Sequence, residues 1–219
     1  MCGRFYLDVA RDKLEKHYQL NTVPDLLARH NIAQSQEIAA VRESEGGRGL
    51  VMLHWGLIPS WAKDRKAHYS MINTRTETVA DKPAYRSAFR YSRCLVPVKW
   101  VSTGNEKQPY VIRMKDAEVL SLAGVWEHWQ NPTGQVIESC STIVTDANET
   151  IRPIHDRMLV IVNKSDYSTW LNPDSQQPAD LKALLVPYSL DNLYVYPVSK
   201  RVNNPKNDDP ACIEAVEST

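Results

Sequence analysis

The chain has 219 residues with 26 basic and 26 acidic side chains, so its formal net charge is zero. This length is sufficient for one complete hydrophobic core, and the balanced charge excludes a polycation that binds nucleic acid through its overall charge. No apolar run approaches the ~20 residues that a membrane span requires, and the four widely spaced cysteines predict neither disulfides nor a structural zinc site. We therefore expect a cytoplasmic protein without membrane contact, metal or other cofactor.

The predicted elements alternate irregularly along the chain. Residues 8–20 are expected to form a helix with Asp8 as its N-cap, a glycine-rich turn at 45–49 precedes a strand at 50–55, and residues 81–89 form a short helix. Further strands are predicted at 94–98, 109–114, 119–125, 137–144, 159–162 and 193–198, and further helices at 164–171 and 178–185. Many short strands with irregularly inserted helices favour an α+β fold, in which helices flank a mixed or barrel-like sheet. We found no linker, so we expect a single domain over residues 1–219, with a poorly ordered tail from about residue 208.

The N-terminal sequence places Cys2 directly after the initiator methionine. Removal of Met1 would give Cys2 both a thiol and a free α-amine, which titrate near ~8.5 and ~8 and are partly nucleophilic at neutral pH. Such a 1,2-aminothiol condenses with an aldehyde to a Schiff base and then closes a thiazolidine ring. A disordered N-terminus is the alternative interpretation. The permissive Gly3, the anion-binding Arg4 and the apolar Phe5 instead favour an end that packs against the protein.

Residues 48–93 carry nine basic and three acidic side chains, a net charge of +6, together with six aromatic rings. Basic residues interleaved with aromatic ones suit a groove that follows a nucleic-acid backbone while rings stack on exposed bases. The alternative is a set of core aromatics surrounded by solvated charges. The turn at Gly56, with Trp55 and Trp61 around it, favours the groove, because a ring beside a turn can lie on the surface.

Two polar clusters lie where catalytic groups are expected. Asn73 and Arg75 are two residues apart, so in an extended segment both project from the same face and together suit a phosphate or an oxyanion. His155 precedes an apolar run and could transfer protons near neutral pH, with Asp156 or Arg157 fixing its surroundings. The alternative for a histidine in this position is a structural role.

These features belong to nine segments that, in this order, resemble the SRAP family, the SOS-response-associated peptidases, also called abasic-site processing proteins. The segments are MCGRF (1–5), NIA (31–33), WGLIPSW (55–61), INTRTET (72–78), RCLVP (93–97), KQPY (107–110), AGVWE (123–127), IHDRM (154–158) and VS (198–199).

The resemblance implies a covalent chemistry for the N-terminus. Family members trap the ring-opened aldehyde of an abasic site in single-stranded DNA as a thiazolidine, which shields the lesion from strand cleavage. Matched residue by residue, Cys2 is the nucleophile, Asn73 helps to hold the N-terminus and the sugar, and His155 assists sugar-ring opening and reversal. Abasic-site lyase activity is also implied, and the family's older name adds a peptidase activity.

The resemblance also implies the DNA-binding residues and the fold. These residues are Arg4, Arg75 and Arg157 on phosphates, and Trp55, Gly56 and Trp61 in the segment that meets the flanking bases. The implied partner is single-stranded DNA containing abasic sites, bound by a monomeric, nucleoid-associated protein. The implied fold is a bifurcated, partly barrel-like sheet surrounded by helices.

The sequence departs from the family at two positions. Lys99 aligns with a glutamate that is a proposed acid–base residue beside the N-terminal amine, across a gap of about four residues, and Gln34 replaces a proline. Two alternatives to efficient capture therefore stay open. One is a single-stranded DNA binder with impaired crosslinking, and the other is a self-processing thiol peptidase with Cys2 and His155 as its pair.

Overall fold

The computed structural model describes residues 3–64, 71–103, 108–115, 119–189 and 193–217, so Cys2 lies outside the described residues. The strands in this part of the chain are β1 (Arg4–Leu7), β2 (Arg29–Ala33), β3 (Glu37–Ser44), β4 (Gly47–Trp55), β5 (Asn73–Arg75), β6 (Arg93–Thr103), β7 (Pro109–Met114), β8 (Leu120–Gln130), β9 (Val136–Asp146), β10 (Arg157–Leu159) and β11 (Leu193–Pro197). The α-helices are α1 (Arg11–Tyr18), α2 (Arg86–Tyr91), α3 (Tyr167–Leu171) and α4 (Pro178–Ala183), and 3-10 helices cover Lys164–Asp166, Lys200–Asn203 and Pro210–Cys212.

Strand β6 is the point at which the sheet divides. Its first half pairs antiparallel with β8, and its second half pairs with β1 on one side and β7 on the other. On the first branch, β8, β9, β4 and β3 follow one another and return to β6 through the pair Val41–Leu95, which closes a five-stranded barrel. On the second branch, β2, β1, β6, β7 and β11 lie side by side. The predicted α+β fold with a bifurcated, partly barrel-like sheet is therefore confirmed.

Strand β9 has neighbours on both of its edges. Strands β4 and β5 run parallel to it along one edge, with Asn73 opposite Thr142 and Arg75 opposite Val144. Strands β8 and β10 run antiparallel along the other edge, where Arg157 lies opposite Asp146. The end of β5 and the start of β10 therefore meet at the same end of β9.

A buried arginine joins two helices to the barrel. Trp170 of α3 donates its indole N–H to the Cys94 carbonyl oxygen at 2.9 Å. Arg93 is 3% exposed and donates to the carbonyl oxygens of Trp170 at 2.6 Å and Phe89 at 2.9 Å. Burial lowers the pKa of Arg93 to about 10. Arg93 is therefore a structural residue and does not contribute to a positive surface.

The first helix is shorter than predicted. It begins at Arg11 with Ala10 as its N-cap, and no side chain caps it. Asp8 is not available as a cap because its carboxylate lies 2.6 Å from the Lys99 ammonium. The prediction of Asp8 as the N-cap is therefore wrong.

The C-terminal segment packs against β2. Asp208 accepts hydrogen bonds from the backbone N–H groups of His30 at 2.6 Å and Asn31 at 2.8 Å, and Cys212 is fully buried. Asp208 and Cys212, which lie in the segment predicted as a poorly ordered tail, therefore contact the rest of the fold. Among the residues that the structure describes, no helix has the length and apolar character needed to cross a membrane.

Candidate functional site

The N-terminal strand is fixed on both edges and on its buried face. Arg4, its first residue, lies opposite Ala33 of β2 and Val101 of β6. Phe5 is fully buried and stacks on Trp55, with ring centroids 4.1 Å apart and an angle of 22° between the planes. The sequence-based prediction that Phe5 anchors the N-terminal end is therefore confirmed. The chain enters the sheet at a fixed point two residues after Cys2.

Trp55 connects this strand to the polar segment after residue 71. Its ring is fully buried, and its indole N–H donates to the Ile72 carbonyl oxygen at 3.0 Å. Gly56 is also buried, has a φ of 139° and donates its N–H to the Cys140 carbonyl oxygen at 3.0 Å. The expectation that the Trp55 ring lies on the surface is wrong, and a contact of Trp55 or Gly56 with flanking bases stays a prediction. The π-face of Trp55 packs on Phe5 instead, because the chain turns after residue 55 and not before it.

Asn73 is the first residue of β5 and is held by its neighbour on β9. Thr142 donates its hydroxyl to Asn73 Oδ1 at 2.5 Å, which sets the orientation of the amide. Thr74 is buried, whereas Arg75 is exposed. This alternation places Asn73 and Arg75 on the same face of β5, as the spacing predicted.

His155 lies in the turn that connects β9 to β10. Its Nδ1 accepts the backbone N–H of Arg157 at 3.0 Å, and Asp156 Oδ1 lies 2.9 Å from the same nitrogen. A neutral ring that accepts from Arg157 carries its proton on Nε2, whereas a protonated ring donates from Nδ1 to Asp156. Each protonation state of His155 thus has a partner at Nδ1.

Arg157 is the cation of a small charged cluster that connects β10 with the end of β5. Its Nη1 donates to Glu77 Oε1, and it lies 3.2 Å from Asp146 Oδ1. The hydrogen bond from Arg157 to Glu77 raises the pKa of Arg157. Partial burial tends to raise the pKa of Glu77, but the hydrogen bonds from Arg157 and Thr76 outweigh it and leave this pKa below its ordinary value.

Sequence reasoning missed Glu77 and Thr142. Glu77 lies in the turn after β5, so the alternation rule that selected Asn73 and Arg75 does not extend to it. Thr142 gives no sequence signal either, because its contact with Asn73 depends on the parallel pairing of two strands that are distant in sequence.

Trp61 lies at the tip of a turn that three contacts fasten to the barrel. Ile58 N–H donates to Ser139 Oγ at 2.8 Å, and Trp129 donates its indole N–H to the Ala62 carbonyl oxygen at 2.7 Å. Burial raises the pKa of Glu127, although hydrogen bonds from the side chain and backbone of Ser60 oppose this shift. The Trp61 ring is 61% exposed, so it is a surface ring on a fixed support.

Arg4 is held by the C-terminal segment. Its Nε donates to the Val202 carbonyl oxygen at 3.3 Å and its Nη2 to the Asn203 carbonyl oxygen at 3.0 Å. Burial lowers the pKa of Arg4. Asn31 donates to the same Val202 oxygen at 3.0 Å, so the 3-10 helix Lys200–Asn203 supports the first residue of β1.

Lys99 is not positioned as the resemblance suggested. It pairs with Tyr6, and its ammonium binds Asp8 beyond the C-terminal end of β1. The predicted position was beside the N-terminal amine, at the opposite end of this strand. Arg4, the first residue of β1, lies opposite Val101 and not Lys99, because the register of β1 with β6 is set by the pair Phe5–Trp100.

Part of the basic and aromatic segment 48–93 lies on the surface, as a nucleic-acid groove requires, and part of it lies in the core. Its surface part contains exposed basic side chains and two exposed rings, namely Lys63, Arg75, Lys82, Arg86, Arg90, Trp61 and Tyr91. Its core part contains Trp55, Tyr85, Phe89 and Arg93. Arg65, Lys66 and Tyr69 lie outside the described residues. Within the described ranges, no group of three or more histidine, cysteine or acidic side chains could hold a metal ion.

The family model described as SOS response associated peptidase (SRAP) matches residues 1–205 of this chain. The abasic site processing protein YoqW of Bacillus subtilis is 37% identical, over 98% of this chain and 100% of the relative. The abasic site processing protein HMCES of Xenopus tropicalis is 31% identical, over 77% of this chain and 58% of the relative.

The fold is also found among solved structures. A crystal structure of a protein from Bacteroides thetaiotaomicron superposes with a TM-score of 0.88, over 99% of this chain and 100% of the other, at 24% identity. A protein from Bordetella bronchiseptica superposes with a TM-score of 0.77, over 90% of this chain and 100% of the other, at 21% identity. At this level of identity the likeness concerns the fold alone.

Proposed function

Because the chain belongs to the SOS response associated peptidase (SRAP) family, we propose that it processes abasic sites in single-stranded DNA by covalent capture through Cys2. One observation carries this proposal. The path Phe5–Trp55–Ile72 connects the start of β1, two residues after Cys2, with the residue directly before Asn73. The relatives named as abasic site processing proteins support the choice of substrate.

The chemistry needs a free α-amine and a thiol on the same residue, which removal of Met1 would supply. The amine adds to the aldehyde carbon of the open sugar, and the oxygen leaves as water to give a Schiff base. The thiol sulfur then bonds to the same carbon and its proton moves to nitrogen, which closes a five-membered thiazolidine. No oxidation or reduction occurs in either step.

Asn73 and His155 have complementary roles in this proposal. The Asn73 amide, oriented by Thr142, holds the N-terminus and the sugar by hydrogen bonds. The doubly protonated His155 ring, whose Nδ1–H donates to Asp156, can give its Nε2 proton to the sugar oxygen during ring opening and is left as a neutral imidazole. A proton taken up from solvent then restores the acid.

The DNA strand is proposed to follow cations and one exposed ring. Arg75 is exposed on the face that also carries Asn73, and Arg157 lies across β9 from it. Arg4 is held by three backbone carbonyl oxygens, of Gly3, Val202 and Asn203, at the start of β1. These guanidinium groups suit successive phosphates, and the Trp61 ring suits stacking on a flanking base.

Binding with slow chemistry is the second candidate, and β6 favours it. This strand pairs with β1, yet residues 93–103 contain no aspartate or glutamate. A carboxylate next to the amine would assist the proton transfers of Schiff-base formation and reversal. Without one, this candidate predicts tight, salt-sensitive binding with little adduct.

Intact mass spectrometry of the purified protein tests both candidates. The mass before reaction shows whether Met1 has been removed. Incubation with an oligonucleotide containing one abasic site should then add the mass of the strand less one water, in a form stable to denaturant. Cys2→Ala should form no such adduct, and Cys2→Ser should form only a Schiff base that borohydride traps.

The matched substrate control is the same strand with an intact base, which should give no adduct. Equal adduct with Cys2→Ala would refute capture through Cys2. Binding without adduct by the Met1-processed protein would support the second candidate. Loss of residues beyond Met1 during incubation would indicate self-processing instead.

A further inference from the structure

The Arg157 guanidinium is held from one side only. Both of its ion pairs involve Nη1, which binds Glu77 and lies 3.2 Å from Asp146. Among the described residues, Nε and Nη2 have no hydrogen-bond partner, and the side chain is 23% exposed. The edge formed by Nε and Nη2 is therefore the part of this group that a ligand could use.

This edge has the geometry that recognises a phosphate. Nε–H and Nη2–H of an arginine point in parallel and can bind two oxygens of one phosphate or carboxylate. A long side chain at a surface normally samples many rotamers, and ordering it upon binding reduces affinity. A contact that fixes Nη1 before the ligand arrives removes part of that cost.

Glu77 is better placed than Asp146 to provide this contact. Its side chain is 48% exposed, against 75% for that of Asp146, and its second carboxylate oxygen accepts from the Thr76 hydroxyl at 3.1 Å. Glu77 also follows β5 directly, whereas Arg157 begins β10, so the pair connects two strands that lie on opposite edges of β9. The lowered pKa of Glu77 means that it is ionised at neutral pH.

We propose that Glu77 is a positioning residue, which holds Nη1 of Arg157 so that the Nε–Nη2 edge faces a phosphate of the bound single strand. This inference rests on the proposed function, because it assumes that the ligand is single-stranded DNA. A purely electrostatic role of Glu77 would have the opposite effect on DNA binding. If Glu77 acts only through its negative charge, it repels the strand and its removal strengthens binding.

Fluorescence anisotropy with an undamaged labelled oligonucleotide, repeated over a range of salt concentrations, separates these roles. We expect Glu77→Ala to weaken binding by about 3- to 10-fold and to lower the salt slope by about 0.7, the value of one phosphate contact on a single strand. Arg157→Ala should do the same, and the double variant should bind no more weakly than Arg157→Ala alone. Glu77→Gln keeps an acceptor for Nη1 and should retain most of the affinity.

The matched control is Glu15→Ala on α1, which also removes one carboxylate from a surface ion pair, with Arg11 at 2.8 Å. Tighter binding by Glu77→Ala, an effect equal to that of Glu15→Ala, or full additivity with Arg157→Ala would each overturn the inference. In each of these cases the proposed function would still stand, provided that the wild-type protein binds the single strand. Absence of wild-type binding to any single strand would overturn the proposed function and this inference together.

Discussion

Two tryptophans that are six residues apart are expected to respond in opposite ways to substitution. Trp61 is 61% exposed at the tip of a fastened turn, whereas Trp55 is fully buried and stacked on Phe5. Trp61→Ala should therefore weaken DNA binding while the protein keeps its stability. Trp55→Phe should lower stability, and the folded variant should still bind DNA.

The magnitudes follow from what each ring contacts. Stacking of one base on Trp61 is worth about 1–3 kcal/mol, so its loss should raise Kd by about 5- to 150-fold. Trp55→Phe loses the hydrogen bond to Ile72, at about 1 kcal/mol. It also removes roughly 40 Å³ of buried side chain, which adds ~1 kcal/mol at ~24 cal/mol per Å³ of cavity. A total of ~2 kcal/mol should lower Tm by about 4–8 °C in a chain of this length.

Thermal melts and anisotropy titrations at one fixed salt concentration measure both quantities on the same samples. Tyr194→Ala is the matched control for Trp61→Ala, because it removes another exposed ring, 45% accessible, from the edge strand β11. It should leave Kd within about twofold of the wild-type value. The reasoning is refuted if Trp61→Ala melts several degrees lower yet binds DNA like the wild type, or if Trp55→Phe melts like the wild type.

Three further predictions concern single side chains around the barrel. Arg75→Gln should weaken binding to intact and abasic strands alike and lower the salt slope by about 0.7. An unchanged slope in anisotropy titrations would mean that Arg75 does not touch phosphate. Glu127 has a folded pKa above its ordinary value of 4.5, so its contribution to stability is fully present below that pH and is lost as pH rises through the folded pKa. Glu127→Gln should remove this part of the pH dependence of Tm, and a Tm difference from wild type that is constant with pH would contradict the shift. Lys99→Glu places a carboxylate against Asp8 and should therefore lower Tm. The rate of adduct formation, measured on denaturing gels, should stay within about twofold of the wild-type rate. A larger change in this rate would restore a role for Lys99 at the reactive end.

The sequence predicted most of the interior strands, because each is an apolar run bounded by turn residues. It did not indicate that β6 would serve both branches of the sheet. That property comes from pairing with β8 along one half and with β1 and β7 along the other. Such pairing depends on contacts between residues that are distant in sequence, which local periodicity does not record.

The candidate site shows the same limit at the level of single residues. The period of two along an extended segment correctly placed Asn73 and Arg75 on one face, since this rule needs no information about neighbouring strands. The rule that a ring beside a turn lies on the surface held for Trp61 and failed for Trp55. Whether a ring at the end of a strand faces inwards depends on what packs on it, and for Trp55 this is Phe5, 50 residues earlier in the chain.

The burial of Trp55 changes how the roles at this site are divided. A surface Trp55 would have added one stacking contact to DNA, at about 1–3 kcal/mol. In its buried position it connects the first strand to the residue before Asn73, so it acts on the geometry of the end that we propose to be reactive. Covalent capture depends on that geometry more than on affinity, because holding two reacting groups together accelerates their reaction far beyond the gain from one more binding contact. Under the proposed function, the exposed guanidinium groups and Trp61 therefore supply affinity, while Phe5 and Trp55 supply the position from which Cys2 would react.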